Sequence, residues 1–181
     1  MAYLFLVRRF RTLPVKRYAE HYTIRPVRFH PQDDSLLLQY LEAAISLWHV
    51  PSDQNKNLRK PVFQIATYFH REMGFDFVQY STDQLSTTDS AFLFAYSPDI
   101  DVHFGIGAAC FRLVEWSTAP ACFSLEWAWI HPFFRRHRFL SQAWPHFVRR
   151  YERFHVSHPR SEAMQAFLNK IGYVEAIQPS A

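Results

Sequence analysis

The chain has 181 residues, of which 49% are hydrophobic and 18% aromatic. That is enough for one sizeable core and short for two, and it excludes a disordered or low-complexity chain. The formal net charge of +4 favours an anionic partner. It sits in two basic clusters, one from Arg8 to Arg28 and one from Arg135 to Arg153, with Asp83, Asp89, Asp99 and Asp101 between them.

Cys110 and Cys122 form neither a disulfide framework nor a Cys-x-x-Cys pair, so a reducing compartment is expected. The apolar run in the opening MAYLFLVRR is too short for a signal peptide or a membrane span. The expected location is the cytoplasm, with no membrane partner.

Residues 1–21 read as a basic N-terminal arm or an extra strand broken by Pro14, and residues 22–181 as one domain. YTIRPVRFH, from Tyr22, suits a strand, and PQDDSLLLQYLEAAISLW a helix with acidic residues at its start. Leu37, Leu41, Ala44, Ile45 and Trp48 recur at helical spacing and define its buried stripe.

After the polar loop PSDQNKN, Pro61 opens a second helix that Gly74 caps. FDFVQY is strand-like, STDQLSTTDS a long connection and AFLFAYSPD a further strand. VHFGIGAACFRLVEW and ACFSLEWAWIH read as the two strands of an antiparallel hairpin. The Gly105-Ile-Gly107 step belongs to a bulge or a close approach and is not a dinucleotide loop. Phe123, Leu125, Trp127 and Trp129 alternate with Ser124, Glu126 and Ala128, which places the large groups on one face. A helix from Arg138 to about Phe154 contains Pro145 and is expected to kink or start late. FHVSH is a short strand, SEAMQAFLNKIG a helix from Ser161 to Gly172, and YVEAI a last strand. The order of elements is an α+β plan with a mixed sheet.

Where the long strand hands over to a helix, the chain reads HPFFRRHRFLSQAW. A helix N-terminus offers unpaired N–H groups and the positive end of the helix dipole, and arginines beside it add charge-assisted contacts to phosphate oxygens. This crossing resembles the acyl-CoA-binding motif of the GNAT superfamily of N-acyltransferases. There a strand ends in a pair like His-Pro and continues into Gln/Arg-x-x-Gly-x-Gly/Ala at the start of a helix. Here the register is Arg135-Arg136-His137-Arg138-Phe139-Leu140, with Arg138 and Leu140 at the usual glycines. TIRPVRFHPQDDSLLLQYL resembles the family's first strand and helix, and RSEAMQAFLNKIGY its last helix. The likeness covers residues 22 to about 175, by order more than by identity. FFRRHRFLSQAW followed by VSHPRSEAMQAFLNKIGY is also similar to the cohesin acetyltransferases, whose corresponding loop is basic and poor in glycine.

The resemblance implies a single-domain GNAT-like fold, with a mixed, mostly antiparallel sheet flanked by helices. It implies transfer of an acyl group from acetyl-CoA or another acyl-CoA to an amine of an unidentified acceptor. Arg135, Arg136, His137, Arg138, Phe139, Leu140 and Ser141 would hold the pyrophosphate. The strand from Trp127 through Trp129 to Ile130 would lie against the pantetheine through its backbone, and Ser161 stands where the family commonly has an asparagine. Leu168 stands where many members have a tyrosine that protonates the leaving thiolate.

N-acyl transfer needs a base for the ammonium proton. Glu126 shares a strand face with Ser124 and is the first candidate, Ser124 being the adjacent position for the same role; an ion-paired surface glutamate is the structural alternative. His131 is a further candidate, though a histidine before proline also simply closes a strand. The remaining histidines show no ligand-like pair spacing, so no metal is expected. Two other functions fit: a GNAT-fold binding module without catalysis, and a basic nucleic-acid-binding domain. The second ranks last because the Phe and Trp positions read as buried.

Overall fold

The structure, a computed structural model, describes residues 13–14, 23–24, 27–30, 37–42, 44–53, 56–82, 89–99, 102–115 and 120–175. Most of the expected N-terminal arm, and most of the Ser/Thr/Asp connection, lie outside these residues. Of the arm, β1 (Leu13–Pro14) pairs antiparallel with β2 (Thr23–Ile24).

The main sheet has seven strands: β3 (Val27–Phe29), β4 (Leu37–Glu42), β5 (Ile45–Val50), β6 (Asp89–Asp99), β7 (Val102–Val114), β8 (Cys122–Ile130) and β9 (Phe154–Val156). Its order is β4-β5-β6-β7-β8-β9, with β3 added to β7. Every pairing is antiparallel except β8 with β9. Among the described residues three helices cover it: α1 (Lys56–Met73), α2 (Phe139–Tyr151) and α3 (Glu162–Ile171). The expected α+β architecture, a mixed and mostly antiparallel sheet flanked by helices, is the one observed.

The strands alternate between two apolar layers. Trp48, Val50, Leu93, Cys110, Trp127 and Trp129 pack with Leu58, Val62 and Ile65 of α1. Leu47, Phe92, Phe111 and Leu125 pack with Phe139 and Phe147 of α2 and Leu168 of α3. Burial on both faces means that β5 has no exposed residue at all.

The segment expected as a helix over Leu37, Leu41, Ala44, Ile45 and Trp48 is the hairpin β4–β5. β5 is buried on both faces, while the edge strand β4 carries Leu38 and Tyr40 on its exposed side, so apolar residues fall on both faces of both strands and an i, i+3, i+4 pattern arises by coincidence. FDFVQY forms no strand, and Phe77 within it is exposed. Tyr173–Glu175, the described part of YVEAI, is not a strand either. Helix α1 begins at Lys56, before Pro61, and ends as expected at Gly74, whose φ of 74° is left-handed. Helix α2 starts at Phe139 and runs through Pro145. The bulge expected near Gly105–Gly107 is present: Phe94 faces Gly107 and Ala95 faces Gly105, which leaves Ile106 as the extra residue. At Gly107 a side chain has no room, because a Cβ there would lie 2.7 Å from the Trp129 carbonyl oxygen.

His49 on β5 is buried, with Nε2 2.8 Å from Ser90 Oγ and its ring against Phe92. Burial, and then the charge of Arg150, lower its pKa to about 4, against an opposing push from Asp53. A depressed histidine pKa means that the unfolded chain takes up the proton first as pH falls. Stability is therefore full above about pH 6.5 and is lost between 6.5 and 4, by on the order of 3 kcal/mol. Urea unfolding across this range should show that loss, and His49→Phe should flatten the profile relative to the natural chain.

Candidate active site

β8 and β9 run parallel for only three pairs, Phe123 with Phe154, Ser124 with His155 and Leu125 with Val156. The Ser157 N–H then donates to the Leu125 carbonyl at 3.0 Å, the last rung before the chains part. Arg160 ties the departing chain back: its guanidinium donates to the Val156 carbonyl and to Glu175. β8 continues to Ile130 with β7 on one side. Among the described residues no strand pairs with its other side there, so a notch opens between β8 and the chain after Ser157.

The notch begins at a β-bulge. Trp127 faces Cys110 and Leu125 faces Phe111, which leaves Glu126 unmatched on β8. A bulge shifts the alternation by one residue. The single apolar face expected for Phe123, Leu125, Trp127 and Trp129 is therefore split: Leu125 lies in the α2–α3 layer and the two tryptophans lie in the α1 layer.

The same register decides which backbone groups reach the notch. The His131 N–H donates to the Ile106 carbonyl, so His131 and Ile106 form a hydrogen-bonded pair. Antiparallel pairs alternate, so Trp129 and Trp127 also turn their backbone groups towards β7, and Ala128 and Ile130 turn theirs to the open edge. Trp129, expected against the cofactor, turns its backbone towards β7 in this register, and its indole Nε1 donates to Glu72 Oε2 at 2.6 Å. Ile130 stands on the expected edge, but its carbonyl already accepts from Arg135 Nε at 2.8 Å. Ala128, inside the expected Trp127–Ile130 stretch, offers both its N–H and its carbonyl to the open edge. Which residues of that stretch turn outwards is decided by the strand register, which the residue types do not show.

Between the 3-10 turn Pro132–Phe134 and α2 lies the basic loop, with Arg135, Arg136, His137 and Arg138 all exposed. Arg135 is committed: Nη1 and Nη2 donate to the two oxygens of Glu72 at 2.8 and 2.7 Å, and the guanidinium lies over the Trp129 ring. In this geometry Arg135 ties the loop to β8 and α1. Glu72, the partner, carried no sequence signal.

Arg136 and Arg138 have φ values of 71° and 61°, a left-handed backbone that favours glycine. Arg138 is the N-cap of α2 and makes no side-chain capping hydrogen bond. The backbone thus keeps the form that the motif's glycine would allow, although an arginine occupies it. The His137 ring stacks on Phe139, whose own side chain is buried in the core. Leu140 packs against that core, and Ser141 is exposed in the first turn of α2. Phe139, Leu140 and Ser141 therefore contribute N–H groups at a helix start.

At the apex of the notch, Ser157 Oγ donates to Glu126 Oε1 at 2.9 Å and lies 3.0 Å from Ser124 Oγ. A carboxylate oxygen only accepts, so the Ser157 proton points to Glu126 and Ser124, which is buried, donates to Ser157. The structure thus brings Ser124 and Glu126 together through a residue that sequence analysis had not singled out. His131 stands apart, five residues along β8, or roughly 16 Å. It is buried, and its Nδ1 accepts from the Phe133 N–H as the cap of the 3-10 turn. Ser161 likewise caps α3, accepting from the Met164 N–H at 3.2 Å. Leu168 is 2% exposed and lies in the core cluster that also holds Leu125 and Val156. Among the described residues no group of three His, Cys, Asp or Glu is placed to hold a metal ion. None of the described helices is long and apolar enough to cross a membrane.

The fold that holds this notch superposes on those of solved acetyltransferases. The xEco2 acetyltransferase domain bound to a K105-CoA conjugate superposes with a TM-score of 0.54, at 12% identity over 74% of this chain and 89% of that one. The aminoglycoside acetyltransferase meta-AAC0020 from an uncultured soil metagenomic sample, in complex with sisomicin, superposes with a TM-score of 0.51, at 10% identity over 76% and 92%. The chain has the GNAT fold. No family model matches it, and no curated protein matches it in sequence. Within the GNAT fold the notch is the site where β8 and β9 diverge, and the basic loop is the turn that leads from β8 into α2.

The left-handed arginine gives a direct test of the loop's backbone. Arg138→Gly should raise stability by up to about 1 kcal/mol and Arg138→Val should lower it by at least as much, because a β-branched residue tolerates positive φ least. Chemical denaturation of the three proteins should rank them Gly above Arg above Val.

Proposed function

We propose that the protein is an N-acyltransferase that moves an acyl group from acetyl-CoA or a related acyl-CoA to an amine. The observation that carries this reading is the uncapped start of α2, held in a glycine-type turn by Arg138, directly beside a strand edge that offers the unpaired groups of Ala128. The N–H groups of Phe139, Leu140 and Ser141 and the side chains of Arg136 and Arg138 would hold the pyrophosphate. Ala128 would pair with the amides of the pantetheine arm, in the way an added strand would. The xEco2 domain holds its CoA conjugate on the same fold, which supports the same class of co-substrate here. Both cysteines are free, which fits a reducing cytoplasm.

Glu126 then serves as the base. An amine reaches the site as an ammonium ion and must lose a proton before its nitrogen can attack the thioester carbonyl. Glu126 is half-buried at the apex, where the acyl end of an arm lying along β8 arrives. Its Oε1 accepts from Ser157, which leaves Oε2 for the incoming amine.

Calorimetry with CoA should show saturable binding that weakens with salt. Replacing Arg136 and Arg138 together by alanine should weaken it about tenfold, two exposed charge-assisted contacts being lost. Glu126→Gln should leave CoA affinity unchanged and lower acetyl-CoA consumption with a panel of primary amines about 100-fold. The absence of any CoA binding would overturn the reading.

A further inference from the structure

Transfer from a thioester has a second proton problem besides that of the amine: the departing sulfur leaves as a thiolate and needs a proton. Resting on the acyl-CoA reading above, we propose that Ser157 is a catalytic residue that protonates this thiolate, so that Glu126 and Ser157 form one circuit carrying a proton from the amine nitrogen to the cofactor sulfur.

Three observations carry it. An arm paired along the open edge of β8 runs towards the point where β8 and β9 meet, and that point is closed by the Ser157 N–H on the Leu125 carbonyl. The reacting end of the cofactor therefore stops at Ser157. Next, the Ser157 hydroxyl is already in line with Glu126, at 2.9 Å from Oε1. Finally, Ser124 donates to Ser157 Oγ at 3.0 Å from a buried position, which holds the oxygen in place and leaves its hydrogen free to turn.

The step balances. The ammonium proton that Glu126 takes first passes to solvent, which restores the carboxylate; the neutral amine nitrogen then forms its bond to the thioester carbon, giving a tetrahedral centre with N–H₂⁺ and an oxyanion. The oxyanion lone pair re-forms the carbonyl as the C–S bond breaks, and the electron pair leaves on sulfur. The nitrogen proton passes to Glu126. Once protonated, Glu126 becomes the donor to Ser157 Oγ, so the direction of that hydrogen bond reverses and the serine hydrogen swings towards sulfur. Ser157 gives this proton to the thiolate and takes the one from Glu126. The products are the amide and CoA thiol, with Glu126 and Ser157 restored and no other reactant needed.

The test needs no knowledge of the acceptor. CoA and desulfo-CoA, which lacks the sulfur, are titrated by calorimetry into Glu126→Gln, whose side-chain amide donates to Ser157 Oγ as the protonated carboxyl would, and into the same protein carrying Ser157→Ala or Ser157→Thr, at a pH above that at which the CoA thiol ionises. Glu126→Gln should bind CoA about tenfold more tightly than desulfo-CoA, the ratio expected for one hydrogen bond to a charged sulfur. Ser157→Ala should erase that ratio without changing desulfo-CoA affinity, and Ser157→Thr should restore most of it. A ratio that survives in the Ser157→Ala protein, or one absent from Glu126→Gln while both ligands bind, overturns the assignment of Ser157 and leaves the acyl-CoA reading standing. Failure of the natural chain to bind either ligand overturns both.

Discussion

One unmatched residue in β8 governs the site. With Glu126 inserted opposite the Cys110–Phe111 step, the strand's alternation reverses, so that Leu125 faces the helices α2 and α3 while Trp127 and Trp129 face α1. A bulge also bends its strand and sharpens its twist. The neighbouring β9, paired in register up to Leu125 and Val156, separates from β8 just past this point. The insertion therefore puts a carboxylate at the apex of the notch, aims the backbone of Ala128 outwards, and sends two large indoles into the core where they anchor the strand. Gly107 on the far side of β8 completes the arrangement, because any side chain there would press on the backbone of Trp129 and Ile130.

The charges around the notch divide into fixed and available ones. Arg135 is held by Glu72, by the Ile130 carbonyl and by the face of Trp129, so it orients the loop. Arg160 is similarly bound, to the Val156 carbonyl and to Glu175, over the Tyr173 ring. Arg136 and Arg138 are exposed on a left-handed turn that costs an L-residue on the order of 1 kcal/mol each. A strained turn that sets two arginines beside an uncapped helix start is consistent with a site kept for an anion, and strain of this kind gathers at functional positions.

The sequence made the fold class legible through the order of its strong elements. The hairpin of β7 and β8, the helices α2 and α3 with Ser161 and Gly172 at the ends of the latter, and the basic crossing all carry local signals of turn, cap and period. The β4–β5 hairpin did not, because β5 is covered on both faces and β4 carries Leu38 and Tyr40 on its exposed side, which removes the apolar-polar alternation that distinguishes a strand from a helix. At the site, Glu126 and Ser124 were visible as polar residues on an otherwise apolar strand. Ser157 and Glu72 were not, nor was the outward turn of Ala128 within the stretch Trp127–Ile130, since each depends on long-range geometry: a hydrogen bond between the two diverging chains, an ion pair spanning 63 positions, and a strand register set by a bulge. His131 shows the converse, a chemically suggestive residue whose ring is used to cap a turn.

The central claim is that the open edge of β8 receives a pantetheine arm through Ala128. Amide-resolved NMR of the chain titrated with CoA tests it most directly. The account predicts that the Ala128 N–H shifts downfield and becomes protected from hydrogen exchange as CoA saturates, together with the amides of Phe139, Leu140 and Ser141. Saturable CoA binding that perturbs the basic loop while leaving the Ala128 amide unchanged would contradict it.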